Sequence, residues 1–214
     1  MTSTYAIRKA TAADLQSIIA IHEAAFGGFF LTLLGRRFLM EMYRAFVVEG
    51  DGICRVIELK VAQGKAHIVG FVAGAYRPKL FFRHLLLSRG LRFALAAVPG
   101  LIRSPLTVFP RLLSAVFYRG EKPPAVENAA LLSSLGVHPK EARLGLGRRL
   151  VDSFCDDAIG RGAHAVYLTT DRHENDAVNV FYERAGFQLL TAQRRRNGRI
   201  MNVYIRTLVP GSSS

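Results

Sequence analysis

The stretch Val137-His138-Pro139-Lys140-Glu141-Ala142-Arg143-Leu144-Gly145-Leu146-Gly147-Arg148-Arg149-Leu150 is entered by an apolar run, residues 125–137, and left by an amphipathic one. It reads as a strand, a glycine loop and the start of a helix. Glycines at 145 and 147 let the backbone approach a ligand closely, and the amides of the first helical turn have no partners within the helix. Such a turn attracts an anion, most often phosphate. Two glycines before a helix also describe an ordinary strand-to-helix connection. What separates the two readings is the sequence on either side.

Downstream, Leu146, Leu150, Phe154 and Ile159 recur at helical spacing up to the glycines at 160 and 162, and residues 163–170 alternate as a β-branched strand. Asn175 can cap a short helix ending at Gly186. Residues 187–196 and 199–209 follow as strands, joined by Asn197-Gly198, a two-residue hairpin signal. The chain from Pro210 reads as a flexible tail. Upstream, residues 5–10 alternate as a strand, and Thr11 with Asp14 offers a cap before Leu15, Ile18, Ile19 and His22 recur at helical spacing. Gly27-Gly28 interrupts, and residues 29–48 give one further helical pattern. Residues 53–61 and 66–76 resemble a hairpin parted by Gln63-Gly64-Lys65. The fold class is therefore α/β (α+β), with a mixed, mostly antiparallel central sheet flanked by helices.

The chain of 214 residues fits a single domain, residues 1–209 with a tail at 210–214, and half its residues are hydrophobic. Cys54 and Cys155 match neither a metal-ligand spacing nor a disulfide framework, so both read as buried free thiols in a reducing compartment. No h-region follows a basic start, and no run of about 20 uncharged apolar residues occurs, so the expectation is a cytoplasmic protein without a spanning helix. The formal charge of +13 favours anionic partners. It is concentrated: residues 77–122 carry nine basic residues against one acid, Glu121.

With these elements placed, the chain resembles the GNAT superfamily of acetyl-CoA-dependent N-acetyltransferases. The resemblance rests on the strand ending Leu135-Gly136-Val137-His138-Pro139, on the loop Arg143-Leu144-Gly145-Leu146-Gly147, and on Asn175 seven residues before Tyr182 in Phe181-Tyr182-Glu183-Arg184-Ala185-Gly186-Phe187. It covers everything except roughly 77–122. That family usually carries Gln or Arg three residues before the first loop glycine, and often a Gly beside it; here Ala142 and Arg143 stand in those places.

The resemblance implies acetyl-CoA as co-substrate and no metal. The backbone of Leu135 and Val137 would pair with the pantetheine arm where the sheet splays. The amides of Arg143, Leu144, Gly145, Leu146, Gly147 and Arg148 would take the pyrophosphate, and Asn175 would contact the cofactor. Arg143 is the candidate cation for the pyrophosphate in the absence of the usual brace at Ala142.

Transfer of an acyl group to an amine needs a free amine, a polarised carbonyl and a proton for the departing thiolate. Tyr182 is the candidate acid, since a phenol titrates near a leaving thiol; its other reading is a core tyrosine. Glu127 is the candidate base, or a solvated strand-end charge. His138 is read as a surface residue. His22, His67, His84, His164 and His173 show no clustered metal spacing and receive no role. The expected acceptor is a small primary amine. An aromatic wall at Gly27-Gly28-Phe29-Phe30 would suit an amino sugar or an apolar amine.

Residues 77–122 form a basic, apolar insertion that Pro99, Gly100, Pro105 and Pro110 are expected to break into short helices. It reads as a lid over the acceptor pocket, as extra core or a homodimer face, or as an interfacial patch on anionic lipid in a membrane-peripheral protein. Two rival functions remain. A non-catalytic acyl-CoA-binding module would explain Ala142. A nucleic-acid binder would use Arg194-Arg195-Arg196 and Arg199, but no aromatic stacking platform interleaves them, so nucleic acid is not an expected partner.

Overall fold

The computed structural model describes residues 4–27, 30–60, 66–103, 126–195 and 198–208. Its elements run β1 (Thr4–Lys9), α1 (Leu15–Ala25), α2 (Phe30–Leu33), α3 (Arg36–Val48), β2 (Gly52–Lys60), β3 (His67–Ala75), α4 (Pro78–Arg103), β4 (Ala129–Val137), α5 (Leu146–Gly160), β5 (Ala165–Asp171), α6 (Asp176–Arg184), β6 (Gln188–Arg194) and β7 (Ile200–Thr207). The strands make one seven-stranded sheet in the order β1-β2-β3-β4-β5-β7-β6. Among the described strands only β4 and β5 pair in parallel. The mixed, mostly antiparallel sheet matches the class read from the sequence.

Each face of the sheet is covered because its helices put their apolar stripes there. On one face α5 buries Leu150, Val151 and Phe154 against Ile57, Val72 and Leu132. On the other, α1 and α3 bury Ile18, Ile19, Leu39, Tyr43 and Phe46 against Val56, Phe71 and Ala73. The inner side of α4 joins this second layer: Phe81 stacks on Phe46 with ring centroids 5.0 Å apart, and Arg89 is clamped to Glu49 at 2.7 Å. Cys54 and Cys155 are buried free thiols, and burial pushes each up to about 12.

Two local expectations are corrected. Residues 29–48 do not form one helix: Gly35, at φ 90°, takes a conformation that other residues rarely adopt, and separates α2 from α3. Pro99 does not break the insertion, for α4 runs unbroken over 26 residues with Pro99 inside it. Proline removes one helical hydrogen bond, but packing across that turn offsets the loss. Ala97 and Leu34 are buried together, and a side chain at Gly100 would come within 2.6 Å of the Leu33 carbonyl. Residues 105 and 110 lie outside the described residues. In the last hairpin Arg195 N–H donates to Arg199 C=O and Gly198, left-handed at φ 81°, donates its N–H to Arg195 C=O; Asn197 of the expected two-residue turn lies outside the described residues. The tail from Pro210 lies outside the described residues.

At the far edge of the sheet, Arg8 forks onto both carboxylate oxygens of Asp14, at 2.7 and 2.9 Å, and reaches Glu58 at 3.0 Å. Asp14 also accepts the Thr11 amide, completing the expected capping box. The Arg8 guanidinium, aided by that amide, holds the Asp14 carboxyl down at about 2. A lowered folded-state pKa contributes stability that is present above the unfolded value and lost as pH falls through the folded one. Asp14→Asn is therefore expected to cost about 1–2 kcal/mol at pH 7. Urea titrations from pH 7 down to 2 should show the gap between parent and variant closing below about pH 4; a gap constant across that range would refute the assignment.

Candidate active site

The parallel pair β4–β5 is short. Ala129, Ala130 and Leu131 face Ala165, Val166 and Tyr167, and pairing stops there. From Leu132 to Val137, β4 keeps β3 on one side only. A strand edge free on one side offers its backbone N–H and C=O groups to an extended ligand. Leu135 and Val137 lie on this open stretch, as the splayed-sheet expectation requires.

The register of β3 against β4 slips where that opening begins. Ala73 faces Ser134 and Gly74 faces Leu132, so Ser133 is an extra residue on β4. Such a bulge takes its residue out of the ladder and re-aims the backbone. Ser133 is exposed, and sequence reasoning missed it. The only available signal was the Ser133-Ser134 pair inside an otherwise apolar strand.

Behind the bulge a buried polar chain crosses the sheet layer. Ser134 is buried beside Tyr43, whose hydroxyl lies 2.7 Å from His22 Nδ1. Burial pushes the His22 imidazole down to about 4, leaving it neutral at physiological pH. Its ring packs on Phe26, with centroids 4.7 Å apart, at the end of α1. His22 thus gains a place beside the site. Gly28 and Phe29 lie outside the described residues.

The glycine loop follows β4 and caps α5. Arg143 and Gly145 are both left-handed, at φ 66° and 71°, and successive turns of this kind curl backbone amides around a concavity suited to an anion. The first helical bond is Arg149 N–H to Gly145 C=O, so the amides of Leu146, Gly147 and Arg148 are open donors at the positive end of a 15-residue helix. The two glycines differ in purpose. A side chain at Gly145 would meet nothing within 4 Å, and the left-handed backbone is what calls for glycine. At Gly147 the missing side chain is replaced by the Phe181 ring, 3.3 Å from where a Cβ would sit, so this glycine packs α6 against α5.

The charged side chains divide likewise. Arg148 is committed to Asp152 at 3.0 Å and to the Arg184 carbonyl, leaving only its backbone for the loop. Arg143 is exposed beside Leu144. Its φ also gives a physical reason for glycine at that position in chains this one resembles, since left-handed backbone costs an ordinary residue roughly 1 kcal/mol.

Asn175 stands at the start of α6 and Tyr182 within it. Asn175 makes no side-chain cap there. Its amide group donates instead to Thr170 Oγ1 at 2.7 Å and to the Asp171 carbonyl at 3.1 Å, tying the end of β5 to α6. Tyr182 packs against Phe181, Phe187 and Tyr204, and burial raises its hydroxyl well above the usual phenol range. Glu127 is exposed in the turn that precedes β4, at the end of that strand opposite the glycine loop. Among the described residues no group of three or more His, Cys, Asp or Glu could hold a metal ion.

Comparison with known proteins agrees with this geometry. Residues 112–187 match the model of the Acetyltransferase (GNAT) family. No curated protein sequence matches the chain. Among solved structures, SsHAT superimposes with a TM-score of 0.66 at 17% identity, over 95% of this chain and 98% of that one. The Drosophila melanogaster polyamine N-acetyltransferase, which forms N-acetylagmatine, gives 0.59 at 15%, over 96% and 100%. The NatC complex bound to a Gag peptide and CoA gives 0.58 at 12%, over 96% and 99%. At these identities the likeness is one of fold.

Proposed function

We propose that this chain is a GNAT-superfamily acetyltransferase, a reading that its fold and the family match at residues 112–187 support, and that it moves an acetyl group from acetyl-CoA to the primary amine of a small acceptor by direct attack in a ternary complex. The observation that carries the proposal is the parting of β4 from β5 beyond Leu131, beside a glycine loop whose amides at the start of α5 have no helical partners. An open strand edge and an anion cradle, in line, suit a ligand with an extended amide-bearing arm and a pyrophosphate.

In this reading the edge from Leu135 to Val137 pairs with the pantetheine arm, and the loop amides from Arg143 to Arg148 hold the pyrophosphate. The bulge at Ser133 supports a role for its backbone as the carbonyl-polarising donor. The amine nitrogen forms a bond to the carbonyl carbon, the C–S bond breaks, and Tyr182 returns a proton to the thiolate. The amine's own proton passes to water, from which Tyr182 is reprotonated. The polar chain Ser134, Tyr43 and His22 borders the acceptor side. An amino sugar or an apolar amine is the acceptor class we favour. The two reduced thiols fit a cytoplasmic enzyme.

Release of free thiol from acetyl-CoA, measured against amino sugars, amino acids, polyamines and peptides, tests the reading. Turnover is expected with at least one small amine. Tight acetyl-CoA binding without thiol release across the whole panel would instead support the acyl-CoA sensor that Ala142 suggests. Arg143→Ala is expected to weaken acetyl-CoA binding about three- to tenfold, the size of one exposed charge-assisted contact, with Tm unchanged. An unaltered Kd by calorimetry would remove Arg143 from the site.

A further inference from the structure

We propose that the outer face of α4 seats this protein in the plane of an anionic lipid bilayer. This α4 proposal goes beyond the acetyl-transfer reading and does not depend on it. The helix has two apolar sides. The inner one, with Phe81, Leu85, Ala96 and Ala97, is buried in the protein. The outer one carries Leu80, Leu87, Leu91, Leu95, Val98 and Ile102, of which Leu87, Leu91 and Ile102 are each 75% exposed or more. At 3.6 residues per turn these six fall within an arc of about 80° along roughly 33 Å of helix, interrupted near its start by His84, which lies 3.2 Å from Glu49, and continuous from Leu87 onward. Scattered apolar residues on a surface need no explanation, but a contiguous stripe does.

The borders of the stripe choose its occupant. Lys79 and Arg83 flank it on one side and Arg92 on the other, all exposed. The whole helix, residues 78–103, contains no acidic residue. An apolar strip between two basic margins is the pattern of a helix lying in the interface, its leucines among the acyl chains and its cations at the headgroups. A second copy fits less well: a two-fold contact would set the same cations against each other with no acid in the helix to answer them. Spanning fits less well too. The helix is long and apolar enough to cross a membrane by length and composition alone. Yet its inner side is occupied by the core, and Arg89 is tied to Glu49 beneath it.

Co-sedimentation of the full chain with phosphatidylcholine vesicles, with and without phosphatidylglycerol, at low and high salt, tests this. The expected result is binding to the anionic vesicles that weakens with salt. Leu91→Glu should reduce it at least tenfold, and Arg83→Gln and Arg92→Gln about fivefold each, with Tm and thiol release as in the parent. Absence of binding to anionic vesicles overturns the proposal, as does binding that Leu91→Glu leaves intact. So does a parent dimer that Leu91→Glu dissociates without vesicle binding, which would make the face a self-contact. A drop in the Tm of Leu91→Glu by more than about 5 °C would show the stripe covered by another part of the chain, and would overturn it equally.

Discussion

Tyr182→Phe is expected to lower kcat by about 10² to 10⁴ while leaving Tm and acetyl-CoA affinity close to the parent's. The substitution removes one oxygen from a ring whose packing on Phe181, Phe187 and Tyr204 is edge-on or tilted hydrocarbon contact. A purely structural tyrosine would therefore respond in stability, by about 1 kcal/mol for one hydroxyl, and leave turnover alone. An acid that protonates the departing thiolate responds in kcat. Burial holds the hydroxyl protonated, so the parent's kcat is expected to show no loss from phenol ionisation up to about pH 10, the ordinary phenol value. Glu127→Gln supplies the contrast. Its exposed place before β4 predicts a kcat within about twofold of the parent, the scale of a surface change remote from the chemistry. If Tyr182→Phe turns over as fast as the parent, the acid is another group and the tyrosine belongs to the core.

Much of this site is legible in one dimension because its parts are local. The strand, the glycine turn and the helix of residues 137–150 are neighbours in sequence, and a left-handed residue before a helix calls for glycine whatever the rest of the chain does. The same holds for the Thr11–Asp14 box. The features that escape reading depend on partners distant in the chain. The bulge at Ser133 exists only in the register of β4 against β3, and nothing in Leu131-Leu132-Ser133-Ser134-Leu135 reveals where the phase slips. His22, Tyr43 and Ser134 form one polar chain across α1, α3 and β4. Pro99 signals a break by local preference, and tertiary contacts around Ala97 and Gly100 override it.

Gly74→Ala is expected to destabilise the fold by about 3 kcal/mol or more, a drop in Tm of about 10 °C for a chain this size, and to lower the activity of whatever remains folded. Gly74 faces Leu132 on β4, one register position from the bulge. An added Cβ would sit 2.0 Å from the Leu131 carbonyl oxygen and 2.8 Å from the Phe154 ring. Neither neighbour can yield cheaply. Leu131 is held on both sides, by Ala75 on β3 and Tyr167 on β5, and Phe154 is fully buried beneath α5. The one free direction is to push β4 away from β3, which would shift the bulge and the open edge beyond it. Stability and turnover should therefore fall together. Gly90→Ala is the control: its Cβ would meet only Leu86 Cδ1 at 3.9 Å, and within a helix interior it should stabilise by about 0.5–1 kcal/mol. Should Gly74→Ala melt within about 2 °C of the parent, a shift of under 1 kcal/mol, the close approach of β3 to β4 would not be what sets the bulge, and the role given to Ser133 would lose its structural basis.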